Sequence, residues 1–326
     1  MKTYYQNGTT TDIEYIITGK NQFAIQIDTI EQHTVIFYPG DGIVRDMERE
    51  LVDLFDKFRD LYFPDTDLYY RDLSLIPNGI FIGGQSSDSC ISKEEYLRLR
   101  DEFDPSICDL NRFIYVRDCQ YLISTVQNLI QAVEYCFVQY YIQICQINLP
   151  DPEILCEPGT WSTSSEQSYQ MIFFLETLFT KMYSILDMMV KIVYELEKPT
   201  EDFSSIKKLK CAKLLWGDRK KLTVCNTIDS IFEDCLTIRM IESLRNEAVH
   251  NGSWEDRPKV YIRVDNKIIV ERYMLFPDFE EGSLSTVKNR RHFFSSDTKV
   301  NDALISLHDD FYHRLLFTLE HINSTF

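Results

Sequence analysis

The sequence predicts a mainly α-helical protein, with a C-terminal helical bundle interrupted by a β-hairpin and preceded by a small N-terminal α+β domain. Three observations lead there. The stretches Cys108–Ile147 and Ser165–Leu196 are long, apolar and free of internal Pro or Gly, as buried bundle helices are. The first forty residues instead carry short β-branched and aromatic runs between turn signals. Near the other end, Val260–Val264 and Ile268–Arg272 flank Asp265-Asn266-Lys267, a strong hairpin pattern.

Taken in order, strands are expected at Asp12–Ile17, Gln22–Ile27 and Thr34–Tyr38, with Gly19-Lys20-Asn21 turning the first pair and Pro39-Gly40-Asp41-Gly42 ending the third. Ile43, Met47, Leu51, Leu54, Phe55, Phe58, Leu61 and Tyr62 recur at helical spacing. Ile80-Phe81-Ile82, between Asn78-Gly79 and Gly83-Gly84, reads as another strand, and Ser86–Glu102 as a loop with a short helix. Residues 1 to about 105 form the predicted α+β domain, with a recognition or regulatory role, and residues 106–326 the helical bundle.

The first bundle helix is stopped by Leu149-Pro150-Asp151-Pro152, and a Pro, Gly and Ser-rich connection runs through Ser165. The second ends before Lys198-Pro199. A shorter helix is predicted from about Phe203 to Leu215, another from about Asn226 to His250, and the last from about Lys299 to Asn323. The hairpin belongs to an insertion at about 258–298.

Of the 326 residues, 44% are hydrophobic and 13% aromatic, enough for a packed core rather than a disordered chain. Lys and Arg total 34 against 51 Asp and Glu, for a net charge of -17. Such a chain does not coat nucleic acid non-specifically, because phosphate affinity comes from clustered basic charge. Any RNA site must confine its positive potential to one cleft, which a dimer can assemble. The 9 cysteines include no C-x-x-C pair, which argues against a zinc knuckle or a redox motif and fits reduced thiols in a cytoplasmic protein. The N-terminus shows no secretory leader. From Cys119 to Pro150 the only charge is Glu134, yet Gln127, Asn128, Gln131, Gln139, Gln143 and Gln146 interrupt the stretch. A buried helix is expected there rather than a membrane span, and it is the best candidate for a homodimer surface.

Chemistry is concentrated in Arg245-Asn246-Glu247-Ala248-Val249-His250, followed at once by Asn251-Gly252. Arg offers a planar fork of donors to a phosphate, and His is the side chain that titrates near neutrality. Wound from Asn226 as one helix, Ile228, Ile231, Phe232 and Cys235 share a face that continues as Arg239, Glu242, Ser243, Asn246 and His250. An apolar stripe turning polar while still facing the bundle predicts a cleft, with Arg245 reaching over it from the flank. Asn251-Gly252 makes a C-cap, placing His250 in the last turn, where the helix macrodipole attracts a cation.

This run resembles the R-N-x-x-x-H signature of the HEPN superfamily, carried here by Arg245, Asn246 and His250. In architecture the resemblance spans roughly residues 106–326, a HEPN-like bundle; in specific motif it rests on the hexapeptide, and the hairpin before the last helix departs from the simplest four-helix form. It implies a metal-independent endoribonuclease of bacterial defence or toxin–antitoxin type, working as a homodimer without a cofactor. His250 is then the general acid/base, Arg245 the phosphate and transition-state clamp, and Asn246 an orienting group. A ribose 2′-hydroxyl attacks the adjacent phosphate, leaving a cyclic phosphate and a 5′-hydroxyl.

Asp187, on a polar stripe with Glu176, Thr180, Ser184 and Lys191, is a candidate partner for Arg245 or His250, although a solvated helix face accounts for that stripe as well. Lys207, Lys208 and Lys210, then Arg219, Lys220 and Lys221, then Lys288, Arg290 and Arg291 are the basic clusters available for RNA backbone contacts, with Trp216 and Phe293 as stacking neighbours. His308-Asp309 with His313 and His292 is set aside as a metal site for want of further ligands, and no G-x-S-x-G elbow supports a serine hydrolase. Two other readings remain open: a non-catalytic nucleotide or RNA sensor with the same fold, and an acidic scaffold subunit.

Overall fold

A computed structural model of the chain describes residues 43–147, 157–211, 217 and 219–326, together with four short strands before residue 38. Those strands are β1 (Lys2–Thr3), β2 (Tyr15–Ile17), β3 (Ala24–Ile27) and β4 (Thr34–Phe37), and β3 pairs antiparallel with each of the others. The first two strands expected here are present in their C-terminal parts and the third in all but its last residue; residues 12–14, 22–23 and 38 lie outside the described residues.

Helix dominates the described residues from 43 onward. α1 (Ile43–Tyr62) matches the predicted periodicity, with Met47, Leu51, Leu54 and Phe58 fully buried. α2 (Thr66–Leu73) starts at Asp65, whose side chain accepts from the Leu68 N–H, a cap the sequence reading overlooked. The predicted Ile80–Ile82 strand is instead a single helical turn, α3 (Asn78–Phe81). Three apolar residues are too few to fix a period, and Ile80 is buried beside Tyr69 and Phe113 rather than along a sheet. α4 (Lys93–Glu102) opens on Ser92, whose hydroxyl accepts from the Glu95 N–H.

α5 (Leu110–Gln146) and α6 (Glu166–Glu197) are the two long helices expected, within two residues at each end. α5 is buried on most sides, as its composition predicted. Among the described residues no helix is long and apolar enough to cross a membrane. Ser168, buried, accepts from the Ser165 N–H and so closes the first turn of α6. The connection before α6 contains a strand that its composition concealed, β5 (Gly159–Thr163).

Two helical expectations fail. Residues 203–211 are irregular, and 212–215 lie outside the described residues. The helix expected from Asn226 begins only at Leu236, as α7 (Leu236–His250). The reason is local competition for backbone groups. Asn226 donates to the carbonyls of Lys220 and Leu222, Ser230 accepts from the Phe232 N–H, and Glu233 accepts from the Asp229 N–H. Asp229 is left with φ 63°, which ends any helical path.

β6 (Val260–Asp265) and β7 (Ile268–Tyr273) form the predicted hairpin, turned by Asn266 and Lys267 with φ 47° and 65°. β5 adds to its outer edge, with Trp161 opposite Ile262, completing a β5-β6-β7 sheet. A second hairpin comes next, β8 (Phe279–Glu280) and β9 (Ser283–Leu284). Its Gly282 has φ +85°, and a Cβ there would stand 2.8 Å from Arg239 Cβ, so only glycine lets this turn approach α7. α8 (Val300–Thr325) closes the chain. Asn301 at its start donates to the Arg272 carbonyl and accepts from Tyr140, tying β7 to α5 and α8.

The residues group into two compact units, one of Met1–Asp46, Asn128–Leu186 and Ile228–Phe317, the other of Met47–Gln127, Asp187–Thr227 and Thr318–Phe326. The first holds α7, the sheet and both C-terminal hairpins. Its core includes Trp254, wedged between Phe179 of α6 and Phe276, which fixes the chain's direction directly after the motif. Trp254→Ala is expected to cost about 3–5 kcal/mol of stability, measured by denaturant unfolding. The second unit is centred on Tyr69, Ile76, Ile80, Leu110, Phe113 and Ile114. There Tyr115 donates to the buried Glu195 at 2.6 Å, and burial pushes that carboxyl above its ordinary range.

Candidate functional site

Because α7 starts at Leu236, its faces differ from those expected. Ile238, Ile241, Leu244 and Glu247 face the core, while Ile228, assigned to the core stripe, is 72% exposed. Arg239, Glu242, Ser243, Arg245 and Asn246 are half-buried beside that core face, and His250 is exposed. The predicted apolar stripe turning polar therefore does not exist. What exists is a polar helix end standing on an apolar base.

The three motif residues converge. Arg245 Nη1 donates to Asn246 Oδ1 at 2.8 Å and lies 3.5 Å from His250 Nε2. The Arg245 guanidinium also lies over the ring of Tyr183 on α6, 4.8 Å from its centroid. That ring is a contact the sequence reading missed, and helical spacing alone gives no sign of it. Arg245 is thus braced on one amide and one ring, and a guanidinium with N–H donors to spare, close to an imidazole, is a pair that can bind an oxyanion and exchange a proton. Tyr183→Leu is expected to weaken any Arg245-dependent activity about 2- to 30-fold, the range of cation–π stabilisation, while Tyr183→Phe leaves it nearly intact.

The helix ends as its sequence predicts. The Asn251 N–H donates to the Glu247 carbonyl, and Gly252 comes next with φ 96°. The residue that sequence reading passed over is Glu247, a carboxylate in the middle of the motif with only 1% exposure. It receives Arg291 at 2.6 Å, His292 at 2.9 Å and Asn251 at 3.0 Å. Burial alone would raise this carboxyl, but the hydrogen bonds from Arg291 and His292 outweigh it and hold Glu247 below its ordinary range. His292, weighed in the sequence only as a metal ligand, is thus paired with a buried carboxylate.

The predicted supporting residues are mostly committed elsewhere. Arg239 pairs with Asp234 at 2.6 Å and donates to the Glu281 carbonyl, so it holds the second hairpin rather than a cleft. The Ser243 hydroxyl accepts from the Leu284 N–H at 3.1 Å. Glu242 is half-buried on the same helix. Asp187 is half-buried on α6, at the start of that helix's share of the second unit. The stripe it was placed on is half-buried throughout rather than solvated, and one carboxylate oxygen of Glu176 is buried without a hydrogen-bond partner.

Among the basic clusters, Arg290 and Arg291 belong to the unit that carries the motif, and the residues from Lys207 to Lys221 to the other. Lys207 pairs with Asp202, Lys210 lies over the Tyr194 ring, and Lys208, Lys220 and Lys221 are exposed beside a half-buried Arg219. Trp216 lies outside the described residues, and Phe293 is partly exposed. His308 is buried, paired with Glu134 at 3.0 Å between the rings of Phe137 and Tyr312. Among the described residues no group of three or more His, Cys, Asp or Glu is placed to hold a metal ion.

The chain matches no protein-family model, no curated protein and no solved structure, so the chemistry of this site is read from its own geometry.

Proposed function

We propose that the chain is a metal-independent endoribonuclease of HEPN type, cleaving RNA by attack of a ribose 2′-hydroxyl on the adjacent phosphate. The observation that carries this reading is the placement of the Arg245 guanidinium 3.5 Å from the His250 imidazole at a capped helix end. In the proposed step the 2′-oxygen–phosphorus bond forms as the bond from phosphorus to the 5′-oxygen breaks. His250 takes the proton that leaves the 2′-oxygen, water protonates the departing 5′-oxygen, Arg245 neutralises the phosphate, and Asn246 steadies the guanidinium. A cytoplasmic toxin or antiviral effector, acting as a homodimer and restrained by an antitoxin or defence partner, is the setting this chemistry fits.

The test is cleavage of a defined single-stranded RNA in excess chelator. Products ending in cyclic phosphate and 5′-hydroxyl support the proposal; products with 5′-phosphate, or none, overturn it. The exposure of His250 in the single chain favours one second reading, a sensor that binds RNA or nucleotide without turnover. Saturable binding of RNA with no cleavage under any condition would select it.

A further inference from the structure

Glu247 is a costly residue to bury at the heart of a cationic motif, and its partners show what it holds. Arg291 reaches it with Nε and Nη2, and His292 with Nε2. Both donors come from the loop that succeeds β9. That loop is pinned a second time by Asp278, whose carboxylate accepts from the backbone and hydroxyl groups of Ser295 and Ser296. Those bonds hold the Asp278 carboxyl well below the ordinary range. The loop that carries Arg291 and His292 is therefore anchored at two points, Glu247 and Asp278.

What they leave free faces outward. The Arg291 side chain is 42% exposed, and its Nη1 makes no hydrogen bond among the described residues; nor does His292 Nδ1. A point charge would keep Glu247 paired, though through one donor where the guanidinium uses two. Arg differs in that locking one edge of its planar fork orients the other. At about 100° per residue, His250 falls between Asn246 and Glu247 on α7, roughly 40° from one and 60° from the other. Arg245 thus braces the Asn246 side of His250, and Arg291 with His292 occupies the Glu247 side. Phe293, 39% exposed, comes next in the loop and offers a ring to a base.

We propose that Glu247 is a positioning residue, and that the Arg291–His292 edge it holds binds the phosphate neighbouring the one clamped by Arg245, on single-stranded RNA. The proposal rests on the ribonuclease reading of the motif and adds a second phosphate subsite to it.

The test is binding of a 2′-O-methyl RNA oligonucleotide, which lacks the attacking hydroxyl, monitored by fluorescence anisotropy across a salt series. Arg291→Lys keeps the charge on Glu247 but presents no second edge. It is expected to weaken binding about tenfold and to reduce the salt slope by about one. Arg263→Ala removes a whole exposed charge from β6, away from the residues assigned to RNA, and should change binding less than about twofold. His292→Gln can still donate to Glu247 but loses the outward nitrogen, which donates to a phosphate when the ring carries both protons, and should weaken binding about threefold. Wild-type affinity in Arg291→Lys, or a loss no larger than that of Arg263→Ala, overturns the proposal. Should Arg291→Lys fail to fold, wild-type affinity in His292→Gln does so. A wild type that cleaves RNA while these variants bind normally sinks this subsite alone; one that neither binds nor cleaves sinks the ribonuclease reading with it.

Discussion

Replacing His250 by alanine is expected to lower RNA cleavage about 10²–10⁴-fold, the contribution of a positioned acid–base group. Binding of the uncleavable oligonucleotide should change little, because an exposed imidazole adds little to phosphate affinity compared with a guanidinium. Arg245→Ala should lose both, since the proposed reaction makes Arg245 the charge that meets the phosphate. Arg245→Lys should restore part of the binding and little of the rate, because a lysine cannot donate to Asn246 and still present a planar fork. A His250→Ala protein that cleaves at the wild-type rate in chelator would remove the catalytic assignment altogether.

The second large effect is on stability. Glu247→Gln should destabilise the fold by roughly 3 kcal/mol at neutral pH, because it leaves Arg291 and His292 donating toward an amide at a buried position. Glu242→Gln, on the same helix and half-buried, is the control and should stay within about 0.5 kcal/mol of wild type. The pH dependence has a definite sign. A carboxyl held below its ordinary range in the fold contributes stability above that range and loses it as the pH falls through the folded value. The gap between wild type and Glu247→Gln should therefore be largest near neutrality and close under acid conditions. Denaturant titrations at several pH values check this; a gap that stays constant would show that Glu247 acts through shape and not charge.

Much of the architecture was legible in the chain. Long uninterrupted apolar periods placed α1, α5, α6 and α8 to within a few residues, because a helix that buries a broad stripe writes 3.6-residue periodicity into its sequence. Asn266-Lys267 between two β-branched runs placed the β6–β7 hairpin for a similarly local reason. The failures are local conflicts resolved by other parts of the molecule. Ile80-Phe81-Ile82 is compatible with strand or helix, and burial beside Phe113 decided between them. Thr160, Trp161 and Thr163 form a strand because β6, much further along the chain, offers them an edge. Asn226–Cys235 is apolar enough for a helix, yet its Asn, Ser and Glu side chains take the backbone hydrogen bonds that a helix needs.

The site divides in the same way. That Arg245, Asn246 and His250, the residues of the proposed chemistry, sit together at a capped helix end can be read from the sequence, since spacing along a helix and cap residues are local properties. Which face of that helix is buried, that Tyr183 lies under the guanidinium, and that Glu247 draws Arg291 and His292 beside the motif were settled only by tertiary structure. The physical reason is distance along the chain. Arg291 lies 44 residues from Glu247, and no local periodicity records a pairing that depends on where a loop between two packed elements comes to rest.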